Sequence, residues 1–427
     1  SFSWFFAHSG QDALATGVQI LLWATFTAAA ARLGQIVVRH AVARQFLVIM
    51  LTIVVGIQST QMVLLMVDQA RQLERIAYGD PADAPPLVER PNVYWFVLDE
   101  YPRSDYLDAY VGVDNTEFEH SLEALGFQVS RSTSGSYLRT QQSLLSTLYM
   151  DHVVRPGVPI GNDFDVGRNA MLGDNPTVAR LRAEGYRYVY GSSRNLTWSD
   201  CAAPPVDRCI RAGSGPLTLD ENWLALARST ALGPLDVFEP EYTDLRPFPG
   251  LVQEEIESGQ PFFAIYHMLA PHQPFRYGPT CVRGERNVEM TVGLPIEVLI
   301  EQFAHEVRCL NQDVTSTLEE LLVLDPDAVI IVQGDHGLLF GVDWGVVPSS
   351  WEPETLTQRL ATFNAIRLPV RCQDDARYAI EGEPLVNTFR IVFACLEDRD
   401  PELLERRVFV SAFDDLSTLE ELPVPDP

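Results

Sequence analysis

Four short stretches of this chain have the makeup of buried strands. Residues 92–98 (NVYWFVL), 186–190 (YRYVY), 262–267 (FFAIYH) and 328–332 (AVIIV) are rich in aromatic and β-branched side chains. Runs of that length and composition suit strands covered on both faces. Segments with helical periodicity, 177–184, 251–258 and 295–324, stand before the second, third and fourth of them. Strands that alternate with helices pair in parallel. The pattern therefore predicts an α/β fold, a mostly parallel sheet sandwiched by helices.

The front of the chain follows a different pattern. Residues 13–31 and 46–67 are uncharged runs of nineteen and twenty-two residues, near the length that crosses a hydrocarbon core. Between them lie Arg32, Arg39, His40 and Arg44, and the positive-inside tendency makes that basic loop cytoplasmic. Both outer ends then face outside, and residues 1–75 form a multi-pass anchor of transmembrane helices in the lipid bilayer. A turn-rich linker over 76–90 leads to an extracytoplasmic domain over 91–427.

Charge narrows the chemistry. Against 58 Asp+Glu stand 31 Lys+Arg, a formal net charge of −27, and every one of the 31 cations is Arg. Such a chain is no partner for nucleic acid. Without Lys it runs no Schiff-base, P-loop or pyridoxal chemistry. Six cysteines all fall within 201–395. Disulfides between sequential neighbours, 201–209, 281–309 and 372–395, are the simplest arrangement and suit an oxidising compartment; buried free thiols are the alternative.

Ligands of a parallel α/β sheet bind beyond the carboxyl ends of its strands. There the first run continues into Asp99 and Glu100. The third ends in His267 and reaches His272 five residues on, and the fourth leads into Gln333-Gly334-Asp335-His336-Gly337. Each residue alone has a bland reading as a cap, a turn former or a solvated side chain. Three strand ends with carboxylates and imidazoles, in a chain of eight His, read together as a site for a divalent metal of the zinc or manganese type.

These segments carry a resemblance. Residues 91–99 (PNVYWFVLD) resemble the opening strand of the sulfatase and alkaline phosphatase superfamily. Residues 332–337 (VQGDHG) resemble its late metal-binding turn, and 263–275 (FAIYHMLAPHQPF) its middle histidine segment. The resemblance runs in order through most of 91–427. It implies an alkaline phosphatase-like domain with a small C-terminal subdomain over about 360–427. The strand-like runs 362–367 and 407–412 and the helix-like 387–396 are available to build that subdomain.

The superfamily places a nucleophile between the first strand and the middle histidines. No Cys or Ser here sits in the Cys/Ser-x-Pro-x-Arg frame of formylglycine sulfatases. Residues 136–148 (SYLRTQQSLLSTL) are similar instead to the segment where lipoteichoic-acid synthases and related membrane-anchored transferases carry a catalytic Thr, and Thr140 is the match. Taken alone, the residues do not separate Thr140 from Ser134, Ser136 or Ser143. Residues 141–149 read as a helix, which puts Thr140 at an N-terminus suited to an oxyanion.

The resemblance implies one divalent ion (Zn, Mn, Mg or Ca) on Asp99, Asp335, His336 and the Thr140 oxygen, with Glu100 as a further ligand. His272 and His267 then bind the substrate oxyanion, His272 also protonating the leaving oxygen, and Arg139 clamps a phosphoryl or sulfuryl oxygen. No His follows His336, which disfavours a two-metal arrangement. The Asp-His-Gly continues Leu338-Leu339-Phe340 where phosphoethanolamine transferases usually have Glu-Ser. The expected function is transfer or hydrolysis of a phosphoryl-linked group of an anionic lipid or envelope polymer through a covalent Thr intermediate. Sulfate-ester hydrolysis without formylglycine, and an inactive envelope protein, are the alternatives.

Overall fold

The computed structural model describes residues 84–158, 163–191, 206–210, 245–273, 275–288, 295–340, 346–412 and 415–424, with scattered positions between 25 and 60. The chain divides into two units, Ser1–Arg75 with Gly215–Pro240, and Ile76–Ser214 with Glu241–Pro427. In the first, nearly all described positions are helical. Phe46, Ile49, Ile53 and Ile57 are exposed there. Among the described residues no helix is long and apolar enough to cross a membrane. Apart from Thr25, the expected span 13–31 lies outside them, as do residues 61–67 of the second.

The second unit is built on a seven-stranded sheet. Its strands are β1 (Val93–Leu98), β2 (Gln128–Ser130), β3 (Arg187–Gly191), β4 (Arg208–Ile210), β5 (Phe262–Met268), β8 (Val329–Gly334) and β9 (Asn364–Arg367), in the order β2-β9-β8-β1-β5-β3-β4. β8, β1, β5, β3 and β4 are parallel, and β9 runs antiparallel to β8. Two small antiparallel pairs stand apart, β6 (Phe275–Tyr277) with β7 (Arg283–Val288) and β10 (Val408–Ala412) with β11 (Asp415–Leu422). All four expected strands and the helices before them form.

Ten helices of the described residues surround these strands: α1 (Ser104–Val111), α2 (Thr116–Ala124), α3 (Thr140–Tyr149), α4 (Asp163–Met171), α5 (Pro176–Ala183), α6 (Phe248–Ser258), α7 (Ile296–Leu324), α8 (Pro353–Leu360), α9 (Val370–Gln373) and α10 (Thr388–Glu397). Local signals set their ends. The Asn175 side chain accepts from the Val178 N–H and Pro176 opens α5, as N-terminal capping requires. α6 stops at Gly259, whose φ of 69° is left-handed.

The alternation of strand side chains decides which helix packs where. Tyr94, Phe96 and Leu98 face a core with Phe248 and Val252 of α6 and a stripe of α7, Phe303, Val307, Leu310, Val314, Leu318 and Leu321. On the opposite face, Trp95 of β1 and Phe263 of β5 meet Phe389 of α10 edge to face, centroids 5.3 and 5.5 Å apart. One expectation changes here. The strand assigned to a C-terminal subdomain, β9, joins the main sheet, because the chain turns back beside β8 directly after α8. Of the strands beyond residue 360, only β10 and β11 keep apart from the main sheet, in a sheet of their own. Cys281–Cys309 and Cys372–Cys395 are bonded as expected, while Cys201 lies outside the described residues.

Candidate active site

Strand register creates the site. Val97 is in line with His267 and Gln333, and Leu98 with Met268 and Gly334. Asp99 and Asp335 are therefore the next residues off two neighbouring strands. With a side-chain period of two they share a face with His267 and Gln333. Gln333 anchors that face by accepting from Trp95 Nε1 at 2.9 Å and donating to Thr388 Oγ1 at 2.8 Å.

Asp335 is held by its backbone surroundings. Its Oδ1 accepts from the backbone N–H groups of Glu100 and His336, both at 2.9 Å. Glu100 reaches this position with a left-handed φ of 63°, a conformation costly for a side-chain-bearing residue and concentrated at functional sites. Gly337 cannot carry a side chain, because a Cβ there would overlap the carbonyl oxygens of Gln358 and Ala361. Its N–H donates to the Arg359 carbonyl at 2.7 Å, which docks the end of α8 against the Asp-His-Gly turn.

His336 is oriented by its own turn. Its Nδ1–H donates to the Gly337 carbonyl at 3.2 Å, leaving the Nε2 lone pair inward, the tautomer of a metal-ligating imidazole. Nε2 lies 3.2 Å from Asp335 Oδ2, 3.6 Å from Asp99 Oδ1 and 3.2 Å from Thr140 Oγ1. Thr140 is the first residue of α3, as the sequence indicated, with Arg139 buried at the N-cap. Among the described residues the Ser134 and Ser136 hydroxyls are buried without a hydrogen-bond partner, and the Ser143 hydroxyl donates to the Tyr137 carbonyl.

The remaining expected residues form the rim. His267 is fully buried, its Nε2 3.6 Å from Asp99 Oδ2. His272 is the solvent-facing member, its side chain 41 % exposed. Its backbone N–H donates to the Asp99 carbonyl at 3.1 Å and its Nδ1–H to the Gln273 carbonyl at 2.6 Å, so Nε2 faces Glu100 Oε2 at 3.9 Å. Glu100 does not join the inner cluster. Its Oε1 accepts from Arg359 Nη1 at 2.7 Å. Arg359 is the residue that sequence reasoning missed. Buried at the end of α8, it also donates from Nε to the Leu138 carbonyl at 3.0 Å and directs Nη2 at His336 Nε2, 3.0 Å away. Nothing in its local sequence marks it, since an Arg near a helix C-terminus is ordinarily a favourable dipole partner.

Electrostatics separates the cluster members. Burial pushes the Asp99 carboxyl up, but His267, His272 and His336 more than offset this and hold it below the ordinary carboxylate range. Asp335 is pushed the other way, by burial and by repulsion from Asp99. Burial and the Arg359 guanidinium hold His336 well below the usual imidazole value, so its ring is neutral. Burial alone would lower His272, yet Glu100 and Asp99 raise it.

The donor set suits a divalent cation. Ligand atoms of Asp99, Asp335 and His336 lie within 4.8 Å of one another. Asp99 Oδ1 and Asp335 Oδ2 are buried without a hydrogen-bond donor, an unfavourable state for carboxylates that a cation relieves. Two carboxylates, a neutral imidazole and a hydroxyl make a nitrogen and oxygen set of the zinc or manganese kind.

Fold and site together define an α/β domain with an acid–imidazole cluster and a hydroxyl at the carboxyl edge of a parallel sheet. Residues 167–363 match the Sulfatase family. That stretch contains His267, His272, Asp335, His336 and Arg359. Among solved structures, the chain is similar to the C-terminal periplasmic domain of EcEptC from Escherichia coli, at 13% identity over 79% of this chain and 96% of that one, TM-score 0.44. It is similar also to the integral membrane lipooligosaccharide phosphoethanolamine transferase A from Neisseria meningitidis, at 13% identity over 79% of this chain and 61% of that one, TM-score 0.49. No curated protein matches it in sequence.

Proposed function

We propose that this chain is a membrane-anchored metalloenzyme that transfers or hydrolyses a phosphoryl-linked group through a covalent Thr140 intermediate. The observation that carries the reading is the Thr140 hydroxyl at the head of α3, 3.2 Å from His336 Nε2. It stands beside Asp99 Oδ1 and Asp335 Oδ2, two buried carboxylate oxygens without a donor. Asp99, Asp335, His336 and the Thr140 oxygen would hold one divalent ion, which lowers a hydroxyl pKa and neutralises oxyanion charge.

The chain's own groups do the rest. Thr140 Oγ1 gives up its proton to solvent and attacks phosphorus in line, and the bond to the leaving oxygen breaks as the phospho-threonine forms. His272, solvent-facing and raised by Glu100 and Asp99, gives its proton to that oxygen. Buried Arg359 supplies positive charge toward the reacting oxyanion, with Glu100 fixing its fork. Arg139 adjoins the nucleophile in the chain. Water or an acceptor hydroxyl then releases the group.

Anchoring rests on the uncharged runs 13–31 and 46–67 and on the apolar side chains exposed along the helical stretch near 46–57, which in a lipid bilayer would be buried. An anionic lipid or envelope polymer is the substrate class that such tethering favours. Sulfate-ester hydrolysis is the second reading, favoured by the family match itself. Intact mass spectrometry during turnover tests the centre. Wild type is expected to carry a phosphate-bearing adduct that Thr140→Ala lacks, and an adduct of equal size on Thr140→Ala refutes the nucleophile.

A further inference from the structure

Most buried guanidinium groups in this acidic protein are met by carboxylates or carbonyls. Arg180 pairs with Glu184 and Glu397, Arg276 with Glu306, and Arg359 with Glu100. Arg367 and Arg390 donate to backbone carbonyls. Arg406, two residues before β10, departs from this. It is half-buried, and its Nε and Nη2 are shielded from water without a hydrogen-bond partner.

The groups acting on Arg406 are Arg103 and Tyr106, and no carboxylate is among them. Arg103 is itself occupied. Its Nε and Nη2 donate to the two oxygens of Asp105, each at 2.8 Å, and its Nη1 to the Thr133 carbonyl at 3.3 Å. Its guanidinium lies 5.4 Å from the Tyr106 ring centroid. Arg103 thus has a carboxylate in contact and Arg406 has none, in a chain of formal charge −27. Keeping a partly desolvated cation without a counter-charge is costly, and a bound anion removes that cost.

Backbone hydrogen bonds tie this place to the Thr140 centre. The Arg103 N–H donates to the Ala361 carbonyl, two residues past Arg359, and the Phe409 N–H of β10 donates to the Ser136 carbonyl, four residues before Thr140. Tyr106 stands on α1, the helix that follows the exit of β1. We propose that Arg406 and the Tyr106 hydroxyl, in the field of Arg103, form a second oxyanion subsite that holds a phosphate group of the substrate or acceptor away from the reacting one. The proposal rests on the phosphoryl-transfer reading and narrows it to molecules with a second phosphate-like group.

Titration calorimetry of the full chain with inorganic phosphate tests it. Asp335→Asn, which removes a proposed metal ligand, is expected to keep one phosphate site. Adding Arg406→Gln on that background is expected to weaken the site about tenfold or more, the loss of one charge-assisted pair. Arg406→Lys keeps the charge without the fork and falls between, and it serves in place of the Gln variant should that one fail to fold. Equal phosphate affinity in Asp335→Asn and the double variant overturns the subsite, as does absence of any phosphate site in Asp335→Asn. Neither result bears on the Thr140 adduct, so the two readings fail separately. Short-chain phosphatidylglycerol as a second titrant distinguishes sources: Arg406-dependent binding of it marks a lipid head group, and dependence with inorganic phosphate alone marks a free or polymer phosphate.

Discussion

Asp335→Asn in the presence and absence of metal is the sharpest perturbation of the cluster. An Asn keeps an oxygen at the Oδ1 position, so the bonds from the Glu100 and His336 N–H groups survive. What changes is the second oxygen, 3.2 Å from His336 Nε2 and buried without a donor. An amide there donates to the imidazole lone pair and abolishes the repulsion with Asp99. With ligand atoms within 4.8 Å, two carboxylates repel by about 3 kcal/mol at an effective dielectric near 20. In a unit of this size about 1 kcal/mol moves the Tm by roughly 1.5 °C. In chelator the variant is therefore expected to melt about 4 °C above wild type.

Metal reverses the order. At about 1,000-fold excess over Kd, an ion that binds only the folded state adds about 4 kcal/mol, raising wild type by about 6 °C and leaving Asp335→Asn nearly unmoved. Differential scanning fluorimetry with chelator, zinc, manganese, magnesium and calcium reads both halves, and mass spectrometry of the metal confirms stoichiometry. If no ion shifts wild type, the metal reading fails. If the variant is destabilised equally in chelator and metal, Asp335 is a packing residue and the argument from its orphaned oxygen is wrong.

Two further outcomes follow from the same geometry. Gly337→Ala drives a methyl into two backbone carbonyls and is expected to cost about 3 kcal/mol, seen as a lower Tm together with weakened metal binding. His152 is buried against Tyr137 and Phe409, and burial holds its imidazole below the ordinary value. The unfolded chain then takes the proton first, so stability falls as pH drops from about 6.5 toward the depressed folded value. His152→Gln is expected to flatten the difference in Tm between about pH 7.5 and 5.5; a slope as steep as wild type would assign the acid loss to other groups.

Legibility in the sequence followed the range of each interaction. β1, β3, β5 and β8 could be read because burial on both faces imposes an apolar, β-branched run that composition alone displays. Asp99, Asp335 and His336 could be read because parallel strands deliver their carboxyl ends to one edge, so position along the chain already implied proximity. β9 could be read as a strand but not placed, since neither its partner nor its direction is written in six residues. Arg359 was not legible at all. Its role depends on α8 docking against the Asp-His-Gly turn, and the signal for that docking is the missing side chain of Gly337 rather than anything near Arg359.

That dependence changes what the absence of Lys, and of any His beyond His336, means for catalysis. An oxyanion substrate needs positive charge beside the nucleophile, and one divalent ion over two buried carboxylates and a neutral imidazole leaves little net charge to offer. In the proposed mechanism Arg359 supplies the missing cation from beside His336, at the cost of burying a guanidinium. Glu100 makes that burial tolerable, which accounts for its left-handed backbone better than direct ligation does: the strained φ lets the Glu100 N–H hold Asp335 while the carboxylate reaches Arg359. On this reading the expected further ligand is a positioning residue. Its strain couples the carboxylate proposed to bind metal to the guanidinium proposed to meet the substrate.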